Sequence, residues 1–252
     1  MQTAPALDAV LARFDPIGIA EMDRVKLQVR MDTKYLLRDK DLPGILERLR
    51  PEYRLLTVDG TIGTRYRTLY FDTPDFKHYL AHHNGRTFRS KIRFREYIGS
   101  DLHFLEVKRK TGRGDTDKAR LPVPAISERL QGEQLAFVQQ ASGDADPLVP
   151  VLWNNFTRLT LVHRTRAERL TLDRELTFMH KGLTHAVHGI CVAELKQERS
   201  GGVSPFTELM RERGIRTSGM SKYCTGLLLA GIAPKYNTFK ETLLRIQRLQ
   251  AA

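Results

Sequence analysis

Along much of the chain, apolar and polar residues alternate with a period of two. In RSKIRFREY, residues 89 to 97, an extended backbone puts Arg89, Lys91, Arg93 and Arg95 on one face. Ile92 and Phe94, with Phe88 just before them, fall on the other. GTRYRTLYFD sets Arg65 and Arg67 against Tyr66, Thr68 and Tyr70, and HFLEVKRK sets Glu106, Lys108 and Lys110 against Leu105 and Val107. RLTLDRE places Arg169, Thr171 and Asp173 opposite Leu170 and Leu172, and VAELKQER places Glu194, Lys196 and Glu198 opposite Ala193 and Leu195. The pattern predicts strands over 53–58, 64–72, 87–98, 102–110, 155–163, 168–178 and 187–198, with a further turn toward period two from Val25. Helical spacing predicts an amphipathic segment within 5–20, a helix over 39–50 with Pro43 in its first turn, a short helix near 205–213 and a C-terminal helix in KETLLRIQRLQ. A helix and loop are expected as an insertion at 126–148. About eight strands with few helices between them predict an α+β protein built on an antiparallel sheet or barrel.

Alternation of this kind is ordinary for a strand with one wet face. A wet face, however, usually mixes its charges, because like charges about 7 Å apart repel by about 2 kcal/mol at an effective dielectric of about 20. RSKIRFREY is purely cationic on one face, and the chain as a whole carries 41 Lys and Arg against 29 Asp and Glu, a net charge of +12. An anionic partner is the expected relief. The cations alternate along strands and do not cluster on a helix or tail, which argues against nucleic acid. Were these faces turned into a barrel, they would line a lumen suited to a phosphate chain. Two cysteines, Cys191 and Cys224, make no disulfide framework, and MQTAPALDAV has no signal-peptide pattern. With GLLLAGIA at 226–233 as its longest apolar stretch, the chain is expected to be cytoplasmic without a span of its own.

The segments YRTLYFDTPD, RSKIRFREY, FLEVKRK, FTR (156–158), RLTLDRE, AELKQE and SKYC occur in this order, and together they resemble the VTC-type polyphosphate polymerase domain. That family is counted among the triphosphate tunnel metalloenzymes, with CYTH-type triphosphatases and class IV adenylate cyclases. The likeness runs from about Arg24 to Gly226. It implies an antiparallel eight-stranded β-barrel with flanking helices over 24–234, preceded by a helical segment (1–23) and followed by a C-terminal helix (235–252) that packs, lids or plugs. It further implies that inward Lys and Arg grip the triphosphate of ATP, with a divalent metal, manganese or magnesium, on an inward glutamate. The terminal phosphoryl group would then pass to a growing polyphosphate chain.

Carried over by position, the resemblance assigns catalytic roles to Lys34, Arg93, Arg95, Lys108 and Glu194, and phosphate contacts to Arg67, Lys91, Lys118, Arg158, Arg169, Lys196 and Lys222. Glu194, with Glu106, is the implied metal ligand. Arg89 is expected at the rim, TGRGDTDKAR at the mouth, Asp72 and Asp75 in a turn and cap, and His78, His82 and His83 on a surface helix. One departure is clear: where relatives open with E-x-E-x-K or an E-R-K type strand, this chain reads QVRMDTKYLL, which leaves only Asp32 and Lys34. Fewer carboxylates disfavour a two-metal hydrolase and fit a polymerase, while leaving open a triphosphatase or a non-catalytic module for polyphosphate or inositol polyphosphates. Relatives often act beside membrane segments, so a membrane-protein partner is a further expectation; the oligomeric state is open.

Overall fold

A computed structural model describes residues 6–22, 30–112, 116–198 and 202–251. A short helix α1 (Leu7–Leu11), a two-residue strand β1 (Pro16–Ile17) and a turn of helix α2 (Ile19–Met22) lead to the long strand β2 (Arg30–Arg38) and helix α3 (Leu42–Leu49). Then come β3 (Tyr53–Val58), β4 (Thr61–Ile62), β5 (Thr64–Asp72), α4 (Lys77–His83), β6 (Arg89–Ile98), β7 (Leu102–Lys110), β8 (Thr116–Pro122) and α5 (Gly132–Ser142). The chain finishes with β9 (Val149–His163), β10 (Glu168–His180), β11 (Leu183–Ala186), β12 (Ile190–Glu198), α6 (Pro205–Glu212), α7 (Lys222–Leu229) and α8 (Lys240–Ala251). Eight strands follow one antiparallel path, β2-β12-β10-β9-β5-β6-β7-β8. This is the expected α+β architecture, with one difference: among the described residues no backbone pairing joins β2 to β8, so hydrogen bonds do not close the barrel.

The period of two decides what each face does. Outward, Tyr35, Leu37, Leu161, Leu170, Leu172 and Leu195 make a core with α1, α3 and α6. Also outward, Ile92, Phe94, Leu105 and Val107 pack with Leu69 and Phe71 beneath Val138 of α5. Each fully buried Leu, Ile or Phe of this kind contributes roughly 1.5–3 kcal/mol. The helices are held where their ends can be satisfied: α3 has proline in its first turn, and Ser204 Oγ accepts from Phe206 N to cap α6.

The inward face changes character along its length. Toward one end Leu36, Leu152, Phe178 and Val192 are buried with Tyr223, Cys224 and Leu227 of α7, which seats itself against the inner side of the sheet. Gly226 permits that approach, since a Cβ there would stand 2.5 Å from both Leu152 and Phe178. The apolar period therefore gives no amphipathic signal for α7, and the sequence pattern misses it. The predicted C-terminal helix is α8, which buries Ile246 in the same cluster as α7. The rest of the inward face mixes charged side chains with aromatic rings, among them Tyr66, Tyr70 and Phe156. No helix among the described residues is long and apolar enough to cross a membrane.

Candidate functional site

On the wall made by β6, β7 and β8, Arg93 faces Glu106 in the strand register, and Lys91 faces Lys108, which in turn faces Lys118. Glu106, 1% exposed, takes Arg93 Nε at 2.8 Å and Nη2 at 2.7 Å, Lys118 Nζ at 2.7 Å and Arg95 Nη1 at 3.7 Å. Burial works against its charge, but Arg93, Arg95 and Lys118 outweigh that and hold the carboxyl well below the usual range. The opposite wall repeats the device. Arg158 of β9 donates from Nε at 2.6 Å and from Nη2 at 2.8 Å to the two oxygens of Asp173 on β10, and Lys222 at the start of α7 reaches the same carboxylate. Asp173 is 1% exposed, and despite burial those two cations depress its pKa. The third wall is β2 and β12: Lys34 pairs in register with Glu194, and Asp32 with Lys196. Lys196 Nζ bridges Glu194 and Asp32, the latter at 2.7 Å, and Lys34 Nζ stands 3.8 Å from Glu194.

Aromatic faces carry the remaining charge. Tyr66 and Phe156 stack at 5.0 Å, with Arg95 and Arg158 each 5.2 Å from the Tyr66 ring. Lys222 Nζ lies 4.6 Å over Phe156. Lys91 has a neutral acceptor: its Nζ donates to Ser221 Oγ at 3.0 Å, the oxygen that also caps α7. Burial, with repulsion from Lys34, Lys108 and Arg93, pulls its pKa from 10.5 to about 7. Burial likewise lowers those of Lys34, Arg95, Lys118 and Lys222. A lysine whose folded pKa lies below its unfolded value binds fewer protons when folded, so stability rises with pH between the two values. From pH 7 to 8.5 the Lys91 shift alone contributes roughly 1.5 kcal/mol, expected as a rise of about 4 °C in the ligand-free melting temperature. Scanning calorimetry of wild type and Lys91→Met checks this: the variant should flatten the slope, and equal slopes would refute the assignment.

The structure brings Lys34, Lys91, Arg93, Arg95, Lys108, Lys118, Arg158, Lys196, Lys222, Glu106 and Glu194 onto one inward face, and Arg169 joins them, opposite Lys196 and bonded through Nη2 to Met22 O at 3.3 Å. Arg67 is elsewhere. It shares the outer face with Leu69 and Phe71 and lies 4.3 Å over the Trp153 ring, 4.0 Å from Glu96. Arg89 bonds Arg86 O at the strand's end, as a rim residue would. Asp72 and Asp75 do serve the turn and cap before α4: buried Asp72 accepts from His78 N, Tyr79 N and the Tyr223 hydroxyl. His78 is buried, not on a wet surface. Asp173, Tyr70 and Ser221 are inward residues that the sequence reading did not single out. Asp173 shares its strand face with Arg169, which is the signal that marks it.

Glu106 does not suit the metal role, since three cations already surround its oxygens. Among the described residues no group of three or more His, Cys, Asp and Glu could hold a metal. Glu194 and Asp32, on adjacent strands, are also engaged by cations, both by Lys196 and Glu194 by Lys34 at 3.8 Å. Their side chains, however, are 20% and 27% exposed against 2% for Glu106, which leaves a two-carboxylate set within reach of an ion. That suits magnesium or manganese, which take one or two carboxylates and fill the rest with phosphate oxygens and water.

Several solved structures resemble this one at low identity. A Bacillus halodurans protein assigned as an adenylate cyclase is 16% identical over 77% of this chain and 94% of its own, with a TM-score of 0.47. A Hippeastrum protein assigned as an adenylyl cyclase, and described as having a dominant triphosphatase activity, is 17% identical over 82% and 99%, with a TM-score of 0.45. The RNA triphosphatase Pct1 of S. pombe is 12% identical over 98% and 95%, with a TM-score of 0.30. No curated protein sequence matches the chain. The family described as VTC domain does, over residues 29–230, which span all three charged walls and α7. With most of its length matched, the chain belongs to the VTC domain family.

Proposed function

We propose that the protein is an ATP-dependent polyphosphate polymerase, which transfers the terminal phosphoryl group of ATP to a polyphosphate chain inside the cationic interior. The observation that carries this reading is the convergence of cations from β2, β6, β8, β9 and α7 on one face, with carboxylates too few to neutralise them. Phosphoryl transfer asks mainly for positioning and charge neutralisation, and this set supplies both. Arg95 would turn its guanidinium to non-bridging phosphate oxygens, and Arg93 and Arg158 would add the N–H groups not already held by Glu106 and Asp173; Lys34, Lys91, Lys108, Lys118, Arg169, Lys196 and Lys222 supply further charge. Glu194 and Asp32 would hold a manganese or magnesium ion, whose chemistry is to neutralise charge on the phosphates of ATP. The bond from the γ-phosphorus to its bridging oxygen breaks, ADP leaves with that electron pair, and a terminal oxygen of the chain forms the new bond. That oxygen is already anionic, so no general base is needed.

Purified protein with ATP and manganese should yield ADP and chains longer than triphosphate, resolved by gel sizing. ADP and free phosphate alone would sink the proposal and leave a triphosphatase. A non-catalytic polyphosphate-binding module is a second reading, favoured by Glu106 and Asp173 being saturated by cations. Its mark is tight tripolyphosphate binding with no turnover of ATP.

A further inference from the structure

On the outer side of β2 and β12, away from the charged interior, lies a cavity of about 710 Å3 between those strands, α6 and the loop that follows it. Strand alternation creates it: Asp32 and Lys34 point inward, so Met31, Thr33 and Tyr35 point here. Met31, Met210 and Ile215 give it an apolar lining. Its polar groups are of two kinds. Gln197 is 9% exposed, and its Oε1 accepts no hydrogen bond among the described residues, while its Nε2 donates to Gly202 O at 3.5 Å. A buried acceptor left open in this way costs free energy unless a donor fills it. Arg211 and Arg216 also line the cavity, and no ion pair to either is found among the described residues. The neighbouring acid Glu212 is engaged by Arg48 at 3.2 Å. A third cation, Arg245, holds the Arg216 and Thr217 carbonyls.

We infer that this cavity is a second ligand site, separate from the interior, for a small organic phosphate. The phosphoryl group is held by Arg211 and Arg216, the apolar body rests on Met31, Met210 and Ile215, and a hydroxyl or amine of the ligand donates to Gln197 Oε1. Its volume falls within the range of about 300–1,000 Å3 typical of small-molecule sites. An apolar lining with a few convergent polar groups is their usual composition. Arginine forks match the paired oxygens that a phosphoryl group presents.

Methionine distribution gives a direct test. The chain has six methionines; Met31 and Met210 line the cavity, while Met220 gives its carbonyl to the interior Lys34 and Met179 lies in β10. In protein labelled at the methionine methyls, phenyl phosphate should shift the Met31 and Met210 resonances saturably. Inorganic phosphate and phenol, each offering half of the chemistry, should shift them far less. The double variant Arg211→Gln/Arg216→Gln should weaken the phenyl phosphate effect by about tenfold or more. Both arginines are exposed, and unchanged Met179 and Met220 resonances would show the fold intact. Shifts confined to Met220 would place the probe in the interior alone and overturn the inference. So would equal saturation in the double variant, an equal response to phenol, or no saturable shift up to the probe's solubility.

Discussion

Asp173→Ala should lower the ligand-free melting temperature by about 10 °C. The carboxylate is 1% exposed and serves two cations at once, the Arg158 fork and Lys222. Removing one partner of a buried ion pair costs about 3–5 kcal/mol, because the other charge stays buried without compensation. In a chain of this size each kcal/mol moves the melting temperature by about 2–4 °C. Tripolyphosphate should then stabilise the variant more than wild type, because the anion takes the place of the missing carboxylate. The same pairing sets an acid limit. Asp173 and Glu106 have folded pKa values below their unfolded ones, so the stability they confer is present above the unfolded values and lost as pH falls. A variant melting within a degree of wild type would show that the Arg158–Asp173–Lys222 cluster does not hold the interior together.

Glu194→Gln should reduce ATP-dependent chain growth by about 100-fold or more while leaving metal-free tripolyphosphate binding intact or tighter. Electrostatic groups aimed at developing charge are commonly worth about 10²–10³ in rate. The proposed role of Glu194 is to hold the divalent ion with Asp32. Removing its charge also leaves Lys196 and Lys34 with one less anion to satisfy. Chain growth quantified beside calorimetric binding separates the two effects. Wild-type turnover in the variant would remove Glu194 from the chemistry, and loss of binding along with turnover would make its role structural.

The inward set was readable where one strand face is apolar and the other charged. In RSKIRFREY, Ile92 and Phe94 are fully buried outward, and Lys91, Arg93 and Arg95 point in. The alternation fails in YRTLYFD because that strand is buried on both sides: Tyr66 and Tyr70 look inward, Leu69 and Phe71 outward. A face of arginines beside a face of tyrosines does not say which is inside, so the pattern alone does not place Arg67 on the outer face where the structure has it. Asp173 lay on a face already marked as polar, yet its partners come from the neighbouring strand and from a helix 49 residues away, distances that local pattern cannot bridge. The same holds for Glu106, whose three cations converge only through the registers of β6, β7 and β8. Helix α7 was missed because it is apolar around most of its circumference, a consequence of its seat inside the sheet.

Whether the cationic interior is a phosphate-chain site is tested most directly by the melting temperature with and without tripolyphosphate, without metal. A ligand that binds only the folded state stabilises it by about 2.7 kcal/mol at a hundred times its dissociation constant, here a rise of about 5–10 °C. Wild type should show that rise, and Arg93→Ala/Arg95→Ala, measured against its own ligand-free value, should show none. An undiminished rise in the double variant would mean that the phosphate chain binds somewhere other than this interior.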